Sequence, residues 1–356
     1  MTDLAAMELA VAMARTARGR TSPRPGVGAV IVRDGVVLGR GATQGHGPHA
    51  ETEAIRDASA AGRDIRGATL YVTLEPCNHH GRTPPCTDAV LAAGLSRVVV
   101  GVLDPWGPMN GRSVALLRAA GVTVDVGVCG EACERVHRGF LKAIGLGLPE
   151  VTLKIAASLD GRIATAGGES QWITSSQARE AGRELRAEHD AIVVGIGTVL
   201  ADDPRLTTRL AGRPEPIPVV LDSNLRIPEG RAVFGHPRGA IVVCAEDAPA
   251  RELPCTIIRV PRANDGHIDV TAAMRALVTA GFHRVLVEGG GLIHRACLDA
   301  DLVDSLVWFT AGVILPGGVS AVGGPAAMSL AAARRFQLVE TAVVGPDLVT
   351  TWFPTG

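Results

Sequence analysis

From the N-terminus to about residue 140, short β-branched runs alternate with alanine-rich stretches whose apolar positions recur at helical spacing. Runs at 27–32 and 36–41 flank Arg33-Asp34-Gly35, whose Asp-Gly pair suits a hairpin turn. Beyond them, candidate strands at 68–73, 97–102 and 123–126 interleave with candidate helices at 50–61, 87–93 and 113–120. This rhythm predicts an α/β sandwich with a largely parallel outer part to its sheet. Gly145-Leu146-Gly147-Leu148-Pro149 breaks the helical pattern ending near Ala143, which places a boundary between domains at 1–146 and 147–356. The second half repeats the alternation, with strands at 151–156, 191–195, 218–222, 240–244, 284–288 and 305–309 and helices at 175–188, 271–280 and 292–300. A second α/β domain is expected.

Composition agrees with two domains, because 356 residues exceed the usual size of one core. With 47% hydrophobic and 20% charged residues and a net charge of -1, the chain lacks the basic surplus that attracts polymeric nucleic acid. Residues 1–14 carry Asp3 and Glu8 among apolar neighbours and lack the basic start and long apolar run of a secretion signal. No uncharged apolar run reaches the roughly 18 residues that a membrane span needs.

The chemistry begins with His49-Ala50-Glu51, followed by Pro76-Cys77 and, eight residues further on, Cys86. One histidine and two thiolates are three good zinc ligands that leave a fourth tetrahedral position open, the mark of a catalytic rather than a structural site. His-x-Glu followed by a Pro-Cys-x-x-Cys segment characterises zinc deaminases of nucleobases, and here the gap between the cysteines is longer. His49 would open the first crossover helix, and Pro76 suits the start of a helical turn after the strand ending near Leu74. Helix N-termini and a metal both favour thiolates at Cys77 and Cys86. Glu51 is then the proton shuttle between attacking water and departing nitrogen. Taken singly, a His-x-Glu pair is an ordinary solvated helix start and the cysteines are buried thiols; their order on these elements favours catalysis. His46, His79 and His80 are rival ligands or contacts to substrate and solvent. Cys129 and Cys133 read as core or surface thiols. Seven cysteines, two in the metal pattern, make a disulfide framework unlike this chain and point to a reducing cytoplasm.

In the second half, Val285-Leu286-Val287-Glu288 runs into Gly289-Gly290-Gly291 and a helix, and Gly195-Ile196-Gly197-Thr198 repeats the theme. Such turns let a backbone approach a phosphate, although glycines after strands also serve as plain turns. Trp172, within 168–174, is set in a loop pattern rather than a core one.

The run 73–86, Thr-Leu-Glu-Pro-Cys-Asn-His-His-Gly-Arg-Thr-Pro-Pro-Cys, resembles the zinc segment of the pyrimidine deaminases of riboflavin biosynthesis, which have the cytidine-deaminase-like fold. The resemblance implies a diaminopyrimidinone carrying a ribosyl 5-phosphate as substrate, with Arg82 near the phosphate. Two positions depart from the family pattern: Pro23-Arg24-Pro25 and Asp104-Pro105-Trp106-Gly107 each lack an asparagine expected to face the pyrimidine. An amide offers a donor and an acceptor, whereas Arg24 offers only donors and Trp106 a plane and one N–H.

The segments 154–161, 168–174 and 198–207 are similar to the reductase domain of the bifunctional riboflavin deaminase-reductases, a dihydrofolate-reductase-like domain that uses NADPH. By this resemblance the nucleotide lies on Ala157, Trp172, Thr198, Asp202, Ser223 and the run Gly290, Gly291, Leu292, Ile293, His294, Arg295, Ala296. The sugar-phosphate substrate lies on Ser170, Arg186, Leu206, Arg209 and Glu288. Arg186 and Arg209 suit a phosphate, although a helical arginine such as Arg186 is more often solvated or ion-paired. Lys154 and Asp202 are available for proton movement or sugar hydroxyls.

The leading expectation is a cytoplasmic bifunctional enzyme, zinc-dependent in deamination and NADPH-dependent in reduction, acting on a small molecule and forming a homodimer. A relative serving another pathway, with a retuned deaminase pocket or one working domain, is the alternative. A zinc-stabilised binding module without turnover is a third reading, opposed by the open ligand position and Glu51.

Overall fold

The computed structural model describes residues 1–355 apart from 46, 81–83, 325–328, 331 and 332. The chain divides into two compact units, Met1–Gly147 and Leu148–Gly356, one residue beyond the boundary expected from the glycine-rich break.

The first unit opens with a helix, Asp3–Thr16 (α1), capped by the Thr2 side chain accepting from the Ala5 N–H. The hairpin Gly28–Arg33 (β1) and Val36–Ala42 (β2) turns through Asp34 and Gly35, both at positive φ. Then follow Ala50–Ala60 (α2), Thr69–Leu74 (β3), Cys86–Ala92 (α3), Arg97–Val102 (β4), Arg112–Ala119 (α4), Thr123–Val126 (β5) and Gly130–Leu146 (α5). The sheet order is β2-β1-β3-β4-β5; β1 is antiparallel to both neighbours, and β3, β4 and β5 are parallel. Alternation along the strands builds two cores. Ala29, Ile31, Leu70, Val72, Val98 and Val100 pack with α2, α3 and α4, whereas Val30, Val32, Tyr71 and Val99 pack with α1 and Cys133 of α5. Helices therefore cover both faces, the α/β/α layering that the cytidine-deaminase-like resemblance implies. Helix α2 presses closely on β2. A Cβ at Gly41 would stand 2.1 Å from the Ala50 carbonyl oxygen, so only glycine admits the turn that carries His49 and Glu51.

The second unit contains Glu150–Ser158 (β6), Arg162–Ala164 (β7), Ser176–Ala187 (α6), Ala191–Gly195 (β8), Ile196–Asp202 (α7), Ile217–Leu221 (β9), Ile241–Ala245 (β10), Thr256–Val260 (β11), Val270–Thr279 (α8), Arg284–Val287 (β12), Gly291–Asp299 (α9), Ser305–Ala311 (β13), Val319–Ser320 (β14), Phe336–Val344 (β15) and Asp347–Pro354 (β16). Nine strands form one sheet in the order β11-β10-β9-β8-β12-β6-β13-β16-β15, and β14 pairs with β7. Strands from β11 to β13 are parallel, and the central β8 and β10 are almost wholly buried, as strands covered on both faces must be, whereas the edge strand β11 is partly exposed; β16 and β15 close the other edge antiparallel. Among the described residues, no helix is long and apolar enough to cross a membrane.

Several details differ from the sequence expectations. Pro76 opens no helical turn, because residues 75–78 are irregular and the next helix waits until Cys86. Gly145 lies within α5, which continues to Leu146 and ends on Gly147 at φ 64°. Helix α1, strand β11 and the β15–β16 hairpin went unpredicted. The hairpin runs through Gly345 at φ 62°, and β15 is exposed on both faces along most of its length, so it has no single-sided apolar alternation to read.

Candidate metal centre and nucleotide site

His49 caps α2 without a side-chain cap bond, leaving its imidazole available, and Glu51 lies in the first helical turn, where a carboxylate suits the helix dipole. Cys77 follows β3, and Cys86 opens α3. One ligand atom from each of His49, Cys77 and Cys86 falls within a 4.8 Å cluster, and among the described residues no other such His, Cys or carboxylate group occurs. The His49 Nδ1 lies 3.2 Å from the Cys86 Sγ and 3.5 Å from the Cys77 Sγ, and the Cys86 backbone N–H donates to the Cys77 Sγ at 3.3 Å. Nitrogen and sulfur ligands on one tetrahedral zinc stand roughly 3.5 Å apart, so this donor set fits that cation.

The electrostatics agree. The hydrogen bond from the Cys86 thiol holds Cys77 down at about 4, and His49 is raised chiefly by its bond to Cys77. Cys86 is pushed up by the Cys77 sulfur, then by burial and by Glu51. A divalent cation is what would let both sulfurs ionise. Burial, then the Cys77 charge, push the buried Glu51 carboxyl up to about 7.

Around the three donors stand residues that the sequence reading placed differently or missed. An Arg24 Nη donates to the carbonyls of Gln44 and Gly47, each at 3.2 Å, and also to that of Gly45; its guanidinium holds the segment before His49. Trp106, 43% exposed, meets the His79 ring edge-on with centroids 5.4 Å apart, and the His79 Nδ1 lies 3.4 Å from the Met109 sulfur. Histidine 79 thus contacts this loop, His80 is exposed, and His46 and Arg82 lie outside the described residues. Cys133 is a buried core thiol. Glu75, unnoticed in the sequence, is buried; it accepts from the backbone N–H groups of Asp104, Gly111 and Ser113. The signal was present in a lone acid between an apolar strand and Pro76-Cys77. Burial raises the Asp104 carboxyl, and Glu75 and Cys77 push it the same way.

In the second unit, the parallel neighbours β8 and β12 bring two strand-to-helix glycine turns together. Gly195 caps α7 and Gly290 caps α9; a Cβ at Gly289, whose φ is 134°, would stand 3.0 Å from the Thr198 Oγ1. Glycine is required there by both conformation and space. Ala157 is buried near the end of β6, beside β12. Gly291, Ile293 and His294 are buried in α9, whereas Leu292 and Ala296 are exposed and Arg295 is half-buried and paired with Asp299. His294 Nδ1 is 2.7 Å from the Ala321 carbonyl oxygen. Ser223 follows β9, and its Oγ accepts from the Ile268 N–H. Asp202 is exposed at the end of α7. Trp172, 65% exposed, is stacked by the Arg179 guanidinium, 4.4 Å from the ring centroid.

Arg186 binds the Glu288 carboxylate in two places, at 2.9 and 2.8 Å, and donates to the Thr207 carbonyl. Of the two roles open to this helical arginine, the geometry displays the ion pair. Lys154 stands 3.8 Å from the same carboxylate and over the Phe309 ring. Burial opposes the Glu288 charge, but Arg186 and Lys154 prevail and hold it at about 2, whereas burial lowers Lys154. Leu206 and Arg209 both adopt positive φ in the segment after α7, the first buried and the second exposed. Ser170 is half-buried in the segment before α6.

Fold and sites together define a two-domain enzyme, a pyrimidine-deaminase-like half followed by a reductase-like half. Residues 1–102 match the family model described as the cytidine and deoxycytidylate deaminase zinc-binding region, and residues 149–350 that of the RibD C-terminal domain. A riboflavin biosynthesis protein RibD of Escherichia coli K12 is 40% identical over 365 residues, covering 98% of each chain; one from Aquifex aeolicus is 38% identical over 347 residues, covering 96% of each. A crystal structure of a diaminohydroxyphosphoribosylaminopyrimidine deaminase/5-amino-6-(5-phosphoribosylamino)uracil reductase from Thermotoga maritima superposes with a TM-score of 0.88 at 34% identity over 99% of both chains. Acinetobacter baumannii RibD gives 0.89 at 34% identity over 99% of both. The chain belongs to the bifunctional RibD family of riboflavin biosynthesis, enzymes with hydrolase and oxidoreductase activities on one polypeptide.

Proposed function

We propose that the first unit deaminates a diaminopyrimidinone ribosyl 5-phosphate and that the second reduces the ribosyl group of the deaminated product to a ribityl chain. The observation that carries this reading is the convergence of His49, Cys77 and Cys86 beside the buried carboxylate of Glu51. A zinc ion held by those three side chains supplies Lewis acidity that brings a water pKa toward neutrality. Glu51 takes a proton from the water that adds to the amine-bearing ring carbon, then delivers it to the nitrogen that leaves as ammonia. Arg82, by resemblance, meets the substrate phosphate.

In the second unit, Ala157, Trp172, Thr198, Asp202, Ser223 and 290–296 would hold NADPH, and the paired glycine turns suit its phosphates. NADPH bound there would supply the hydride that reduces C1 of the ring-opened sugar, with a proton going to the attached nitrogen. Ser170, Leu206, Arg209 and Glu288 line the sugar phosphate. Exposed Arg209 and Arg186, the latter ordered by its ion pair with Glu288, are the phosphate contacts of this reading. The open edge of β15, with Leu338, Val339 and Val343 exposed, supports a homodimer, and seven free cysteines support a reducing, cytoplasmic setting.

The test is an assay on zinc-loaded protein with this substrate and NADPH, recording ammonia release and NADPH loss separately, with Glu51→Gln as control. Both signals are expected in the parent; Glu51→Gln should release no ammonia from the diaminopyrimidinone substrate yet still consume NADPH when given the already deaminated one. NADPH loss that occurs only with already deaminated substrate, in the parent itself, would overturn the deaminase half.

A further inference from the structure

We propose that Glu75 is a positioning residue for deamination, its carboxylate clamping both ends of the 104–111 segment so that the Trp106 indole stands as a wall of the pyrimidine site. This rests on the deaminase reading above and names a residue through which its site is shaped. Glu75 Oε1 accepts from the Ser113 N–H at 3.0 Å, while Oε2 accepts from Gly111 at 2.9 Å and Asp104 at 3.2 Å. Two of these donors belong to the start of α4, whose cap residue Gly111 supplies no side chain, and a carboxylate there also complements the helix dipole. A cap alone would need nothing more. The third donor, Asp104, lies at the other end of the segment just after β4, so one buried side chain fastens both ends.

The segment between those ends is what makes the clamp functional. Asp104 Oδ1 accepts from the Trp106 N–H at 2.9 Å, and the Trp106 ring meets His79. Glu75, Cys77 and His79 succeed one another at two-residue steps: the first holds the base of the segment, the second is a metal donor and the third touches its tip. Glu75 also donates its own backbone N–H to the Val102 carbonyl at 2.9 Å, which ties the metal-donor strand end to β4 beneath the segment. The Trp106 indole presents a flat, half-open face, the surface on which a pyrimidine stacks. A carboxylate is required because all three partners are N–H donors; an amide in its place would turn its own NH₂ toward at least one of them.

The experiment is a double-mutant cycle on the full-length zinc-loaded enzyme, with Glu75→Gln, Trp106→Ala and the pair, measuring ammonia release and zinc per chain. Each single substitution is expected to raise the KM for the pyrimidine about tenfold, the scale of one lost base-stacking contact, with kcat changed by less than about threefold. The pair should be no worse than Trp106→Ala, and zinc content and reduction of deaminated substrate should be unchanged. Hydrogen exchange should quicken at the amides of Asp104, Gly111 and Ser113 in Glu75→Gln but not within β4. An unchanged KM, additive effects in the pair, or a loss of zinc would overturn the proposal. Should Glu75→Gln not fold, the shorter Glu75→Asp takes its place with the same readouts. If the parent releases no ammonia, the deaminase reading fails instead, and the amide exchange alone decides whether the clamp exists.

Discussion

The two candidate sites are made of different materials. In the first unit the candidates for the chemistry are three side-chain donors and one carboxylate, all from the stretch between His49 and Cys86, which the backbone serves to aim. In the second unit the site draws on β6, α6, α7, β12 and α9, and its centre is backbone: two glycine turns brought together by neighbouring strands, with a buried ion pair beneath. A side-chain site fails when one atom type changes. A backbone site depends on the conformation and packing of many residues, and single side chains matter there mostly through the charges they leave unpaired.

The largest effect that tests this contrast is at Glu51. Glu51→Gln removes the proton carrier but little volume, and should lower the deamination kcat by about 10² to 10⁴ while zinc content and reduction of deaminated substrate hold. If reduction falls as well, the two sites are not independent and the contrast breaks. Next comes Glu288→Gln in the second unit, which strands the buried Arg186 charge with Lys154 beside it. Chemical denaturation should show a loss of about 3 to 5 kcal/mol in that unit, with the first unit unaltered. A loss under about 1 kcal/mol would mean the pair is solvated rather than buried.

The smallest effect is shared by both units. Burial, then the Arg18 charge, hold His137 of the first unit down at about 3; burial, then Arg284, hold His189 of the second at about 4, against 6.5 for an ordinary histidine. His137 Nε2 lies 2.9 Å from the Thr73 Oγ1, and His189 Nε2 the same distance from the Thr152 Oγ1, so each is kept neutral against a strand. As pH falls below about 6.5, the unfolded chain binds protons that the folded one refuses. Each unit should therefore be fully stable at neutral pH and lose about 2 kcal/mol from this cause by pH 5. Denaturation midpoints followed across pH 7 to 5 would check it. His137→Gln should flatten the slope of the first unit only, and His189→Gln that of the second only.

Much of this was legible before the structure. The strands of the parallel core are short, apolar and bounded by glycine or polar turns, so β3, β4, β8 and β12 announce themselves, as do the helices between them. The edge of the second sheet was not legible: β15 is open to solvent on both faces and carries no one-sided alternation. Helix α1 had its signal in the Thr2 cap and buried Ala6, Met7 and Ala10, but the same alanine-rich run was weighed only against a secretion signal. At the sites, His49, Glu51, Cys77 and Cys86 stood out because metal chemistry restricts residue type. Arg24 and Glu75 did not, because each acts on backbone groups that no residue type identifies.

By itself the sequence determined the elements of the two parallel cores, the division into two α/β units, the family, and which residues, His49, Cys77 and Cys86 with Glu51, are candidates for the metal chemistry. Periodicity and residue identity are local or strongly typed signals, and both survive in one dimension. Only the tertiary structure decided that Arg186 meets Glu288 rather than standing free, that Arg24 holds the segment before His49, that Thr198 faces Gly289, and that Glu75 fastens the Trp106 loop. These partners lie far apart in the chain. A charged or amide group does not declare which of many distant partners will be brought within 3 Å of it until the sheet has set its register.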